Sequence, residues 1–275
     1  MIIYLNTVRL QVSLTFTRGF DIVWVFILIH IIFISIWCII EMGIQVVILA
    51  GGLGTRLGHL TENRPKSLVE ILGKPFLSYQ LELLQAGGII DIVLCTGHLG
   101  SQIQETFGDG SKYGVRIRYS PEEKPLGTAG ALKNAESLLK DTFFVMYGDS
   151  YLFLDFPKLM SYFVSQNKLG LDTVFKNNDS YDKSNIVIKD NLVAKYSKTE
   201  KTKDMIYIDY GAAIFHKEVL QLIPENCFSS IEELCLDLIE REQLLAFEVK
   251  KRFYEIGSPQ GLQDFEAFAQ RQLKH

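Results

Sequence analysis

One stretch limits what this chain can become. Residues 46–57 read VVILAGGLGTRL, four consecutive apolar residues and then three glycines within five positions. A short apolar run stopped at once by glycine reads as a buried strand that empties into a tight loop. Glycine has no side chain and accepts positive φ, so such a loop can turn backbone N–H groups toward an anion. Two familiar phosphate loops are excluded. A P-loop ends Gly-Lys-Ser/Thr, and this one ends Gly-Thr-Arg-Leu. The dinucleotide fingerprint needs a third glycine where Leu57 stands. Two cations follow instead, Arg56 directly after the loop and Lys66 after Pro65.

The pattern after this strand sets the fold class. From Met42 on we expect a strand over 44–50 and a helix over 75–88, proline at its start and glycine after its end. A strand over 89–95, a short helix over 101–107 and a strand over 115–119 come next. A helix over 127–139 and a strand over 142–146 lead into Gly148-Asp149-Ser150. Strand–helix alternation of this kind predicts a Rossmann-like α/β domain, a mixed, mainly parallel sheet with helices on both faces. The second half changes texture. Polar turns separate short strands near 171–175, 185–188, 192–196 and 206–215. Short helices near 217–223 and 231–240, strands at 245–250 and 253–256, and a last helix over 260–273 complete the reading. No internal repeat is present, and no hexapeptide array of the β-helix type.

Composition removes several function classes. Net charge is −4 over 275 residues, so there is no general field for DNA or RNA, and phosphate recognition must be local. Cys38, Cys95, Cys227 and Cys235 form no C-x-x-C pair and sit beside no histidines at zinc-site spacing. They read as free thiols of a reducing compartment.

Residues 1–41 stand apart. The run 22–40 is apolar apart from His30 and Ser35, and as a helix it would reach roughly 28 Å, close to the thickness of a bilayer core. Trp24 and Trp37 lie near its ends, as an interfacial belt asks. Against an anchor, Arg9 and Arg18 precede the run and the next basic residue is Arg56, which would put the glycine loop on the side away from nucleotides. No cleavage site of a signal peptide is evident. We therefore expect two parts. Residues 1–41 are a hydrophobic extension, read first as translated sequence upstream of a natural start at Met42 and second as a membrane anchor. Residues 42–275 are the working domain, expected in the cytoplasm. Setting the extension aside leaves the net charge unchanged, because it holds two basic and two acidic residues.

The full pattern, GGxGTRL followed by RPKxLV, resembles the signature of the sugar-1-phosphate nucleotidyltransferases. The resemblance runs through 42–275 and is strongest at 46–75, 126–132, 147–150 and 254–259. It implies transfer of a nucleoside monophosphate from an NTP to a sugar 1-phosphate with release of pyrophosphate. It also implies Mg²⁺ as cofactor and no nucleic-acid partner. Every reactant is an anion, so neutralising charge and holding an in-line attack are the main tasks.

Site residues follow from the same resemblance. Arg56 and Lys66 hold the triphosphate, a guanidinium being able to fork two oxygens and never losing its proton. Leu49, Ala50, Gly51, Gly52, Gly54 and Thr55 line the nucleotide. Gly127 and Thr128, in PLGTAGAL, open a helix whose glycines admit a base or ribose to the backbone. Asp149, at a strand end, holds the metal. Its usual aspartate partner is here Glu255 in YEIGSP, a hard oxygen ligand one methylene longer. Lys198 faces the sugar phosphate, with Lys201 as a competitor, because Ser197-Lys198-Thr199 departs from the Glu-Lys-Pro of many relatives. Asp209 and Gly211 face sugar hydroxyls, with Asn185 and Asp182 as weaker candidates. Small members without a tail include mannose- and heptose-1-phosphate guanylyltransferases, so GTP is the first expectation. UTP, CTP, dTTP, a phosphocholine-type acceptor, a non-catalytic binding subunit and a homo-oligomer stay open.

Overall fold

The computed structural model describes residues 3–5, 8–10, 43–52 and 54–272. It divides into two compact units, Met1–Met42 and Gly43–His275. In the first, β1 (Ile3–Leu5) and β2 (Val8–Leu10) form an antiparallel pair. The apolar run 22–40 lies outside the described residues. Among the described residues, no helix is long and apolar enough to cross a membrane.

The second unit begins with β3 (Gln45–Leu49), the strand expected from the apolar run. A hairpin of β4 (Glu70–Ile71) and β5 (Lys74–Pro75) leads into α1 (Phe76–Ala86). Then come β6 (Asp91–Thr96), α2 (Gly100–Phe107), β7 (Arg116–Pro121), α3 (Gly127–Asn134) and β8 (Thr142–Tyr147). The short β9 (Ser150–Tyr151) is followed by α4 (Phe156–Gln166), which sequence reading missed. Its start is signalled by Asp155, whose carboxylate accepts from Lys158 N at 3.1 Å. The remaining strands are β10 (Gly170–Lys176), β11 (Ile186–Lys189), β12 (Leu192–Tyr196) and β13 (Tyr207–His216). After α5 (Ile231–Glu240) come β14 (Leu244–Val249), β15 (Tyr254–Glu255) and α6 (Pro259–Gln272).

One nine-stranded sheet carries the unit, in the order β10-β14-β12-β11-β13-β8-β3-β6-β7. From β8 to β7 every ladder is parallel. In the other half β13 runs antiparallel to β8, β10 and β11, and only β10–β14 is parallel. β11 and β12 pair antiparallel because only the two residues 190 and 191 join them, too short a connection for a parallel pair. Val46, Val47 and Ile48 are all buried because both sheet faces are covered. Val47, Val93 and Val145 pack with α3 and α5 on one face. On β8 the alternate residue Phe144 meets Phe156 of α4, ring centroids 5.0 Å apart.

The register decides where a site can form. Leu49 pairs with both Cys95 and Tyr147, so β3, β6 and β8 end level with one another. Their following loops are thereby gathered at the carboxyl edge of the sheet, where open α/β sheets place ligands. A second apolar cluster, Leu57, Val69, Ile71, Phe76, Ile256 and Phe265, ties the glycine-loop segment to α6. Phe265 is fully buried there, and truncating such a side chain costs about 3–5 kcal/mol.

Candidate functional site

At that edge lies a cleft of about 530 Å³. Its walls come from four loops: Leu49 to Gly52 after β3, Gly97 and His98 after β6, Glu122 to Thr128 between β7 and α3, and Tyr147 to Asp149 after β8. Lys66, Ser67, Cys95, Ala131 and Phe228 complete the lining. The glycine loop allows a close approach here. A methyl group at Gly51 would stand 2.7 Å from Glu122 Oε1 and 3.3 Å from Gly97 N, so a side chain would close the cleft.

The charged centre is built by strand pairing. Lys66 Nζ donates to Asp149 Oδ2 at 2.6 Å, joining residues 83 apart in sequence. In the β9–β15 pair Glu255 stands opposite Ser150, and Ile256 N donates to Asp149 O at 2.9 Å. This brings Glu255 to Asp149 although 106 positions separate them. A methyl group at Gly257 would meet Glu255 Oε2 at 2.6 Å, Asp149 Oδ2 at 3.2 Å and Lys66 Nζ at 3.2 Å. Two carboxylates and one ammonium thus surround the space that Gly257 leaves. Glu255 also serves its own turn, accepting from Gly257 N and, at 2.6 Å, from Ser258 Oγ.

Gln80 is a positioning residue that sequence reading missed. Its side chain is buried on α1, and its Nε2 donates to Tyr147 O at 2.9 Å and Ser150 O at 2.7 Å. Those two carbonyls bracket Asp149 and fix the turn that presents it. The signal was a polar residue on the apolar face of a helix. Glu122, also missed, lies in the cleft wall. Its Oε2 accepts from Leu126 N at 2.8 Å, while Oε1 faces Gly51. Burial raises the Glu122 carboxyl above the usual range, and the Leu126 N–H pulls the other way.

Tyr147 separates this cleft from a small second depression lined by Asp172, Asp209, Gly211, Ile231 and Cys235. Asp209 is already engaged, taking Gly211 N at 2.8 Å and Tyr196 OH at 3.0 Å. Asn185 Oδ1 accepts from Asp209 N at 3.1 Å. Lys198 Nζ lies 5.8 Å and 5.7 Å from the ring centres of Tyr147 and Tyr196. Its backbone N–H donates to Glu232 at 2.9 Å. The competitor Lys201 is tied to Asp179, and Asp182 is exposed. Asp172 is buried, with Oδ2 lacking a hydrogen-bond partner among the described residues. Burial first, then the Asp209 charge, pushes its carboxyl well above the usual range, with Lys198 opposing.

Not every expected residue reaches the cleft. Leu49, Ala50, Gly51, Gly52, Lys66, Gly127, Thr128 and Asp149 line it, whereas Gly54, Thr55, Arg56, Lys198, Asp209, Gly211 and Glu255 are not in its lining. The 3-10 segment Thr55–Thr61 buries Leu57 against the Phe265 cluster, which turns Arg56 to solvent. Gly54 packs on Thr61 and the Lys66 stem instead, a methyl there standing 2.9 Å from Thr61 Cγ2 and 3.3 Å from Lys66 Cβ. The start of α3 also differs from expectation. Ser229 O, not an open space, accepts from Ala129 N at 2.9 Å and Gly130 N at 3.2 Å.

Comparison with known proteins fits this geometry. The family model described as nucleotidyl transferase matches residues 45–272. The chain belongs to this family. Among curated members, it is 35% identical over 222 residues to a mannose-1-phosphate guanyltransferase of Saccharomyces cerevisiae, across 77% of this chain and 61% of that protein. A mannose-1-phosphate guanylyltransferase catalytic subunit beta of Drosophila melanogaster is 31% identical over 223 residues, across 79% of this chain and 60% of that protein. The chain thus spans about three-fifths of the length of these relatives. Among solved structures, HddC from Yersinia pseudotuberculosis complexed with GMP-PN superposes with a TM-score of 0.68 at 30% identity, covering 80% of this chain and 97% of that one.

Proposed function

We propose that the cleft binds GTP and that the chain transfers its guanylyl group to a sugar 1-phosphate, releasing pyrophosphate. Residues 42–275 act as the catalytic unit, in the cytoplasm, where nucleoside triphosphates are supplied. The observation that carries the reading is the junction of Lys66, Asp149 and Glu255 at the carboxyl edge, beside a glycine loop.

In the transfer, an acceptor phosphate oxygen attacks the α-phosphorus. The new P–O bond forms as the bond to the β-phosphate oxygen breaks, and pyrophosphate leaves. Lys66 supplies fixed positive charge at the α-phosphate, held in place by Asp149. Asp149 and Glu255 would hold Mg²⁺. Their oxygens suit a hard cation, and two protein carboxylates leave positions for phosphates and water, as Mg²⁺ requires. When bound, the metal neutralises the phosphate oxygens. Lys198, beside Tyr147, faces the acceptor phosphate, and Asp209 and Gly211 its hydroxyls. Arg56, exposed beside the glycine loop and outside the lining, is assigned to the outer phosphates.

Glu122 supports GTP. Guanine offers two adjacent donors, N1–H and the N2 amine, and a carboxylate accepts both. Uracil and thymine flank one donor with carbonyls, and the adenine and cytosine amines each neighbour a ring acceptor. Each of these turns lone pairs toward Glu122. The names of the two curated relatives and the GMP-PN complex agree with this choice. The test is pyrophosphate release from each nucleotide with mannose 1-phosphate and other sugar 1-phosphates. Product with GTP is expected, and product in no combination contradicts the reading.

A further inference from the structure

Phe228 is the most exposed large apolar side chain of the described residues, at 69%, yet it lines the cleft. Such exposure on a loose loop would mean little, but this backbone is strapped down. Ser229 N donates to Leu126 O at 2.8 Å, and Ser229 O takes the Ala129 and Gly130 N–H groups at the start of α3. Ile231 N donates to Thr128 Oγ1 at 2.8 Å. Ser230 and Glu233 close a capping box on α5. The strap needs the glycines of GTAG. Gly127 has φ +74°, and a methyl there would stand 2.5 Å from Ser229 O and 3.2 Å from Phe228 Cε2. A methyl at Gly130 would stand 2.9 Å from Cys227 O. The motif's close approach is therefore spent on the strap, and the strap holds one aromatic ring out over the cleft.

The strap also runs on toward the acceptor side. Three residues on, Ile231 lines the second depression together with Asp209 and Gly211, and Tyr147 is the wall common to both spaces. We propose that Phe228 is a specificity-determining residue of the acceptor subsite, its ring stacking on the apolar C–H face of the sugar 1-phosphate. A fixed aromatic face favours a flat pyranose over a flexible polyol phosphate and adds no charge to a site already crowded with anions. This rests on the transfer reading of the previous subsection.

The test separates the two claims. In Phe228→Ala, KM for mannose 1-phosphate should rise about tenfold. Affinity for a non-hydrolysable GTP analogue, measured by calorimetry, should stay within about twofold. Phe228→Trp should restore acceptor KM, which a merely structural role would not do. Acceptor binding is read independently of turnover by saturation-transfer NMR of mannose 1-phosphate in the presence of the GTP analogue. Weaker acceptor binding in Phe228→Ala without turnover in either protein supports Phe228 and sinks the reaction. Unchanged acceptor KM, or no acceptor binding to either protein, overturns the proposal. So does loss of GTP-analogue affinity with acceptor binding intact, since the ring would then serve the base.

Discussion

Asp172→Asn should make the protein less sensitive to alkali. Asp172 is buried on β10 and Oδ2 has no hydrogen-bond partner among the described residues. Burial and the neighbouring Asp209 raise its native carboxyl well above the range of an unfolded chain, near ~3.9. Between those two values the native state holds a proton that the unfolded state has lost. Stability is then fully present below the unfolded value and falls as pH rises toward the native one, by up to about 1.4 kcal/mol per pH unit. For a domain of this size that is roughly 3–5 °C in melting temperature per unit. Asparagine keeps the shape and has no proton to lose. The groups facing the site are Asp209, Tyr196, Tyr147, Cys235 and Lys198, and all remain in the variant. The assay is thermal unfolding from pH 4 to 9 for both proteins. The melting-temperature difference should be near zero at pH 4 and grow in favour of the variant with pH. Parallel curves across the range would show that Asp172 is ionised in the native state and would refute the reasoning.

Two further outcomes follow from the same geometry. Asp149→Asn should lower turnover by about 10²–10³-fold or more, because charge at the phosphates goes uncompensated, while binding of a GTP analogue by calorimetry largely survives. Gly127→Ala should lower the melting temperature by about 4 °C or more, since the positive φ alone costs about 1–2 kcal/mol and the methyl meets Ser229 O. An unshifted melting curve would show that the strap yields easily.

The first half of the fold was legible in the sequence because its strands announce themselves locally. Val46 to Leu49 and Ile92 to Cys95 are unbroken apolar runs, and the glycines that stop them sit at the edge where the cleft opens. Lys66 and Asp149 were legible as motif members, and Glu255 through YEIGSP. What spacing cannot carry is contact between distant segments. Gln80 acts through Ser150, 70 residues away, and Glu122 faces Gly51 of the glycine loop, and in sequence both look like ordinary polar positions. Arg56 fits the motif, but its direction depends on Leu57 seeking the Phe265 cluster. GTAG reads as a ligand turn, and only the folded chain shows that Gly127 and Thr128 line the cleft while Ser229 O takes the Ala129 and Gly130 N–H groups. Helix α4 was hidden because its apolar positions, Phe156, Leu159, Met160 and Phe163, follow directly on an irregular aromatic stretch.

The most direct test compares nucleotides in the wild-type protein and in Glu122→Gln, reading kcat/KM from pyrophosphate release with mannose 1-phosphate. The wild type should prefer GTP over UTP, CTP, dTTP and ATP. Glu122→Gln should lose about 10- to 100-fold with GTP, the worth of a charged hydrogen bond, and little with UTP. A wild type that favours a pyrimidine nucleotide, or a variant whose preference is unmoved, would contradict the assignment of the cleft.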